Sequence, residues 1–128
     1  MEMQEYFEKA RGFGILSTAD SEGNVDAAPY SRPHFIDFET IAFIMANKRS
    51  HKNLQSNPKA VYLFKEEGGY NGMRLYIEKC GEDKNSPLIE ELRRKKRADS
   101  DDEGGKDRFL VYFKILGIRP LVGDAVKD

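Results

Sequence analysis

Apolar residues recur along the chain in short blocks whose period switches between that of a helix and that of a strand. Over Met1 to Arg11, Met3, Tyr6, Phe7 and Ala10 fall at helical spacing, acids come early, Lys9 and Arg11 come late, and Gly12 closes the segment. That pattern predicts a short amphipathic helix oriented to suit its own dipole. Phe13 to Thr18 and Val25 to Phe35 then flank Asp20-Ser21-Glu22-Gly23-Asn24, a run of turn formers, so the two read as the arms of a β-hairpin. After a turn at Asp37-Phe38-Glu39, Thr40 to Ala46 is apolar almost throughout and predicts a strand buried on both faces.

The pattern breaks between Lys48 and Pro58. Ser50 suits an N-cap, Leu54 offers an apolar anchor and Asn57-Pro58 ends the segment, which predicts a helix of one or two turns. Val61 to Phe64 reads as a strand, Glu66 to Gly72 as a glycine-containing loop, and Met73 to Cys80 as a strand with Leu75 and Ile77 on one face. Beyond a polar connection at Gly81 to Asn85, Ser86-Pro87 opens a helix that points Leu88, Ile89 and Leu92 inward and ends in Arg93-Arg94-Lys95-Lys96-Arg97. Ala98 to Asp107 is an acidic loop without packing residues. Arg108 to Ile118 is the longest strand candidate, with Phe109, Val111, Phe113 and Ile115 on one face and Leu110, Tyr112 and Leu116 on the other. Six short strands with brief helices predict a mainly β protein, a six-stranded antiparallel barrel with flanking helices. Closure would remove exposed edges, and the second apolar face of the last strand calls for cover by a helix or a partner subunit.

With 128 residues and 14.6 kDa the expectation is a single domain over residues 1–128. The 21 basic and 22 acidic residues leave a net charge of −1, which argues against a chain devoted to coating nucleic acid or an anionic membrane. Cys80 is the sole cysteine, so an internal disulfide and a cysteine zinc cluster are excluded. The longest apolar run, Ile41 to Ala46, cannot span a bilayer, and the start lacks the basic and apolar regions of a signal peptide. A cytoplasmic location is the expectation, and with two histidines no metal site is expected.

Two segments stand out chemically. Asn47-Lys48-Arg49-Ser50-His51-Lys52-Asn53 gathers three cations, a hydroxyl and an imidazole at a helix start, where free backbone N–H groups and the dipole favour an anion such as phosphate. The same residues also suit an ordinary capped helix with its cations in water. Ala27-Ala28-Pro29-Tyr30-Ser31-Arg32-Pro33 places small residues and prolines in a strand, which fits either a protected edge or close approach of a planar ring. No residue identifies itself as catalytic: His51 has no evident Ser, Cys or Asp partner, His34 suits a structural or surface histidine, and Cys80 suits packing rather than a reactive thiol. Arg93 to Arg97 sits where a helix dipole favours cations and is followed at once by acids. No P-loop and no Gly-x-Gly-x-x-Gly occurs.

The order Gly14-Ile15-Leu16-Ser17-Thr18-Ala19-Asp20, Gly23, Ser31-Arg32-Pro33, Arg49-Ser50-His51-Lys52, Leu54 and Asn57-Pro58 resembles the pyridoxamine 5′-phosphate oxidase-like family of FMN-binding split β-barrels. The resemblance is strongest from Phe13 to Phe64. It implies a homodimeric FMN oxidoreductase with cofactor at the interface. The isoalloxazine ring would lie along Ala28, Pro29, Tyr30 and Ser31, and the phosphate would be held by Asn47, Lys48, Arg49, Ser50, His51 and Lys52. True pyridoxamine phosphate oxidases carry a further C-terminal substrate segment with Arg and His, so that vitamin reaction is not expected here, and Arg32 and His34 are candidates for orienting a different small substrate. An electron carrier or cofactor store without its own substrate, a deazaflavin or haem in place of FMN, and a polyanion-binding barrel using Arg93 to Arg97 are the competing expectations.

Overall fold

Alternation along the strands decides which way each side chain faces, and register then decides what it meets. A computed structural model of the chain describes residues 2–96 and 107–124. Helix α1 (Glu2–Lys9) leads into β1 (Gly12–Ala19), β2 (Val25–Pro29), β3 (His34–Phe35) and β4 (Thr40–Ala46). Helix α2 (Arg49–Ser56), β5 (Lys59–Glu66), β6 (Gly72–Lys84), α3 (Pro87–Lys96) and β7 (Arg108–Pro120) follow. All pairings are antiparallel, and the strands form one seven-stranded sheet in the order β2-β1-β5-β6-β7-β4-β3.

The two ends of that sheet, β2 and β3, are consecutive in the chain. Residues 30–33 therefore carry the backbone from one end of the sheet to the other, and the barrel is closed there by chain connectivity instead of a ladder of hydrogen bonds. This corrects the six-strand expectation: Val25 to Phe35 is two strands. Pro29 and Pro33 have no N–H to donate, so the ladder stops at the first and resumes only after the second.

The corner between them is pinned from three directions. The Tyr30 N–H donates to the Gly14 carbonyl at 3.0 Å. The Tyr62 hydroxyl, from β5 across the barrel, is shared between the Tyr30 carbonyl at 3.2 Å and the Ser31 carbonyl at 3.1 Å. Arg32 donates to the Phe7 carbonyl at 2.8 Å and the Ala10 carbonyl at 3.0 Å, satisfying acceptors at the end of α1 that no later turn can reach. Burial raises the Tyr62 pKa well above the ordinary phenol value, partly offset by the charge of Arg32, so the hydroxyl keeps its proton and remains a donor.

Inside, Phe43 packs against Tyr62, Tyr30 and Phe113 at ring separations of 5.0, 5.7 and 5.9 Å. Phe7 of α1 lies on Phe64 at 5.2 Å, and Leu54 of α2 joins the same cluster. A second, smaller cluster sits outside the barrel, where Leu88, Ile89 and Leu92 of α3 cover Ala42 and Leu110 and pack on Tyr112. The cover expected for the outer face of the last strand is thus supplied by a helix over Leu110 and Tyr112, while Leu116 stays 50 % exposed.

β6 runs to Lys84, past the expected end at Cys80. Its polar end remains a strand because Gly81 to Lys84 pair with Tyr112 to Phe109 after register shifts between Tyr76 and Ile77 and between Lys79 and Gly81. Cys80 falls in the second irregularity and is exposed, so it does not pack as expected. Asn85, at φ 53°, ends the strand, and its side-chain carbonyl accepts the Arg108 N–H at 2.9 Å. Arg97 and all of the expected acidic loop except Asp107 lie outside the described residues. Among those described, no helix is long and apolar enough to cross a membrane.

A Cβ at Gly14 would overlap the Tyr62 hydroxyl and approach the Tyr30 carbonyl to 2.8 Å. Gly14→Ala and Tyr62→Phe are each expected to lower stability by about 1 to 3 kcal/mol in urea denaturation. Because both act on the same hydroxyl, their effects should combine to clearly less than the sum. Full additivity would show that the hydroxyl does not hold the corner.

Candidate functional site

Helix α2 starts one residue beyond a sharp exit from β4, where the Lys48 N–H donates back to the Ala46 carbonyl at 2.9 Å. Lys48 is the N-cap, in an extended conformation, and no side chain caps the helix. Ser50 was the expected cap; it is instead inside the first turn and buried, with its hydroxyl beside the Tyr30 phenol. Asn47, Lys48, Arg49 and Lys52 remain exposed, and the first turn contains no acid. The outward side of this turn therefore offers uncompensated N–H groups and three positive charges, the combination that attracts a dianion.

The inward side is tied down. His51 stacks on Phe109 at 3.8 Å with an 18° tilt, and its Nε2 lies 3.1 Å from both carboxylate oxygens of Glu82. A carboxylate only accepts, so Nε2 carries the proton that faces it. Gln55 donates to Glu82 at 3.2 Å and to the His51 carbonyl at 3.1 Å, and Lys79 Nζ sits 3.0 Å from the same carboxylate. Burial pushes the Glu82 pKa up, but the hydrogen bonds from His51, Lys79 and Gln55 outweigh it and hold the carboxyl below its ordinary value. His51 thus turns its Nε2 toward Glu82 and anchors the helix from beneath.

Further along, buried Asn53 donates to Thr18 at 3.0 Å, and Ser56 accepts the Ser21 N–H at 3.1 Å. α2 accordingly lies along the β1–β2 hairpin with its first turn at Tyr30 and its last at Ser21. β2 pairs only with β1, and Ala27 and Pro29 are exposed on it while Ala28 is half-buried. The two segments singled out in the sequence approach each other where buried Ser50 lies beside Tyr30. Burial raises the Tyr30 pKa, partly offset by the neighbouring Ser50 hydroxyl, so the phenol stays neutral. On the far side of Pro29, Tyr30 and Ser31 lies an open groove of about 680 Å³, also lined by Lys9, Arg11 and Phe13.

Arg32 closes α1 through one terminal nitrogen and also lines the groove beside Ser31, and His34 is half-buried in β3 opposite Ala42. Glu82, Lys79 and Gln55 escaped the sequence reading because only the continuation of β6 past Cys80 brings Glu82 under α2, where Lys79 and Gln55 meet it. A polar stretch that stays in a strand was the available signal.

These features define a split β-barrel, the fold of the pyridoxamine 5′-phosphate oxidase-like proteins. An FMN-binding protein from Syntrophomonas wolfei subsp. wolfei superposes with a TM-score of 0.75 at 19 % identity, over 93 % of this chain and 83 % of its own. HupZ of Group A Streptococcus matches with a TM-score of 0.72 at 15 % identity, over 99 % and 97 %. An F420 reductase matches with a TM-score of 0.67 at 16 % identity, over 89 % and 94 %. No sequence-family model matches the chain, and no curated protein does.

Glu82 generates an acid-dependent prediction. Its folded pKa is depressed, so its contribution is complete above the ordinary value of 4.5 and is lost as pH falls through the folded value. Glu82→Gln should melt at a lower temperature than the parent at pH 7, and the two melting curves should converge as the solution is acidified below 4.5. A gap that stays constant with pH would remove the carboxylate from the anchor.

Proposed function

We propose that this chain is an FMN-binding oxidoreductase that works as a homodimer. The observation that carries the reading is the first turn of α2: three exposed cations, no acid and no side-chain cap, set beside an edge strand of small residues. Lys48, Arg49 and Lys52 with the adjacent N–H groups would hold the phosphate. The edge formed by Ala27, Ala28 and Pro29 offers little side-chain bulk, which suits a flat ring lying along the backbone. The name of the Syntrophomonas protein that shares the fold supports FMN as the cofactor.

The flavin supplies the capacity to take up and release hydride or electrons, and the chain supplies orientation and charge. Its buried anchors, His51 and Asn53, keep the cationic turn fixed with respect to the strand, so phosphate and ring are addressed by one rigid unit. The platform is one-sided, because strand and turn belong to the same rim of one barrel. A second copy would cover the other side of the cofactor and exclude water from it, which is the physical reason for a dimer here.

Lys52→Ala removes a charged partner worth about 1.5 to 3 kcal/mol, so FMN affinity should fall roughly tenfold to a hundredfold. Riboflavin, which lacks the phosphate, should bind the variant and the parent alike in a fluorescence titration. Equal losses for the two ligands would displace the phosphate from this turn.

Dimerisation is checked separately. Sedimentation of flavin-saturated protein should report twice the 14.6 kDa chain mass. A monomer that still binds FMN tightly would end the shared-site reading.

A further inference from the structure

The register of β6 and β7 sets Arg74 directly opposite Arg119. Like charges facing each other across an antiparallel pair repel, so this arrangement requires a counter-charge. Asp124 is the one within reach among the described residues, 3.8 Å from Arg74 and 3.6 Å from Arg119, both too long for a hydrogen bond. Its side chain is 76 % exposed. Arg74 is committed to the chain: it donates to the Pro120 carbonyl at 2.9 Å, to the Gly123 carbonyl and to the Tyr76 hydroxyl. Arg119 is not. Its guanidinium lies over the Tyr76 ring at 5.4 Å, is 47 % exposed, and makes no hydrogen bond among the described residues.

Tyr76 is also a wall of an apolar dent of about 370 Å³ that includes Val25, Val61, Ile77 and Leu116. Strand geometry puts it roughly 7 Å along β6 from Arg74, about the length of one aromatic ring. Tyr76 is therefore shared between a cationic head site with unused donors and a mainly apolar seat whose rim also carries Asn57 and Lys59. Guanidinium groups favour planar oxyanions, and an apolar body in the dent would add burial.

We infer that Arg119, Arg74 and the adjoining dent form a binding site for a small organic anion, a carboxylate or phosphate monoester on an aromatic or branched aliphatic body. Asp124 is the internal carboxylate that this ligand displaces. The site uses none of the residues assigned to FMN, so it stands or falls apart from that assignment.

The probes are phenyl phosphate, benzoate and inorganic phosphate, titrated calorimetrically into the full-length protein, with the arginine Nε–H resonances followed by NMR. The Lys52→Ala background keeps the α2 turn from contributing. Phenyl phosphate or benzoate should shift the Arg119 resonance, and which of the two binds more tightly assigns the head group. Arg119→Gln should weaken that probe at least tenfold. Asp124→Asn, which removes the competitor, should tighten it severalfold, and Leu116→Ser should weaken the aromatic probes while leaving inorganic phosphate unchanged. Both altered side chains at 116 and 119 are half-exposed, so the variants should fold, as circular dichroism will verify. The inference is overturned if Asp124→Asn weakens binding or leaves it unaltered, if Arg119→Gln has no effect, or if Arg119→Gln lowers FMN affinity to the same degree.

Discussion

The hydroxyl of Tyr62 reaches across the barrel to the carbonyls of Tyr30 and Ser31, and most of the architecture depends on that contact. A sheet whose end strands are joined by a few residues closes only if those residues turn where the strands require it, and two prolines in the segment leave few backbone donors to enforce the turn. A buried phenol that keeps its proton supplies the missing restraint from a distant strand. Gly14, which has no side chain, leaves the hydroxyl the space it occupies.

Fixing the corner also fixes the rim. Tyr30 follows Pro29 directly, so its ring enters the barrel against Phe43, and its hydroxyl arrives at Ser50. On the other flank of α2, the His51–Glu82 pair ties the same turn to β6. A short helix with little apolar surface is thereby held by polar bonds from His51 to β6 and from Asn53 to Thr18 of β1, which leaves its charged side free to face solvent. Buried polar groups of this kind specify one orientation where apolar packing through Leu54 alone would permit several.

Local patterns were sufficient for much of this. Thr40 to Ala46, the turn at Asp20 to Asn24, and the helices at both ends of the pattern were legible because period and turn chemistry act over a few residues. The division of Val25 to Phe35 was signalled by its prolines, yet extended residues on both sides looked like one strand. The continuation of β6 was hidden because Gly81 to Lys84 are polar, and only pairing with β7 keeps them extended. The site divides in the same way. The exposed cations of α2 could be read from composition, whereas the inward roles of Ser50 and His51 depend on Tyr30, Phe109 and Glu82, partners set by tertiary structure.

The capping of α1 by Arg32 couples two parts of the chain that look independent. An eight-residue helix is too short to persist alone in water, so α1 owes its existence to Phe7 inside the barrel and to the guanidinium that closes its last turn. That guanidinium is in position only while the corner is formed. The amino-terminal helix and the seam of the barrel are therefore a single cooperative unit, in which fraying at the chain terminus and opening of the barrel are the same event.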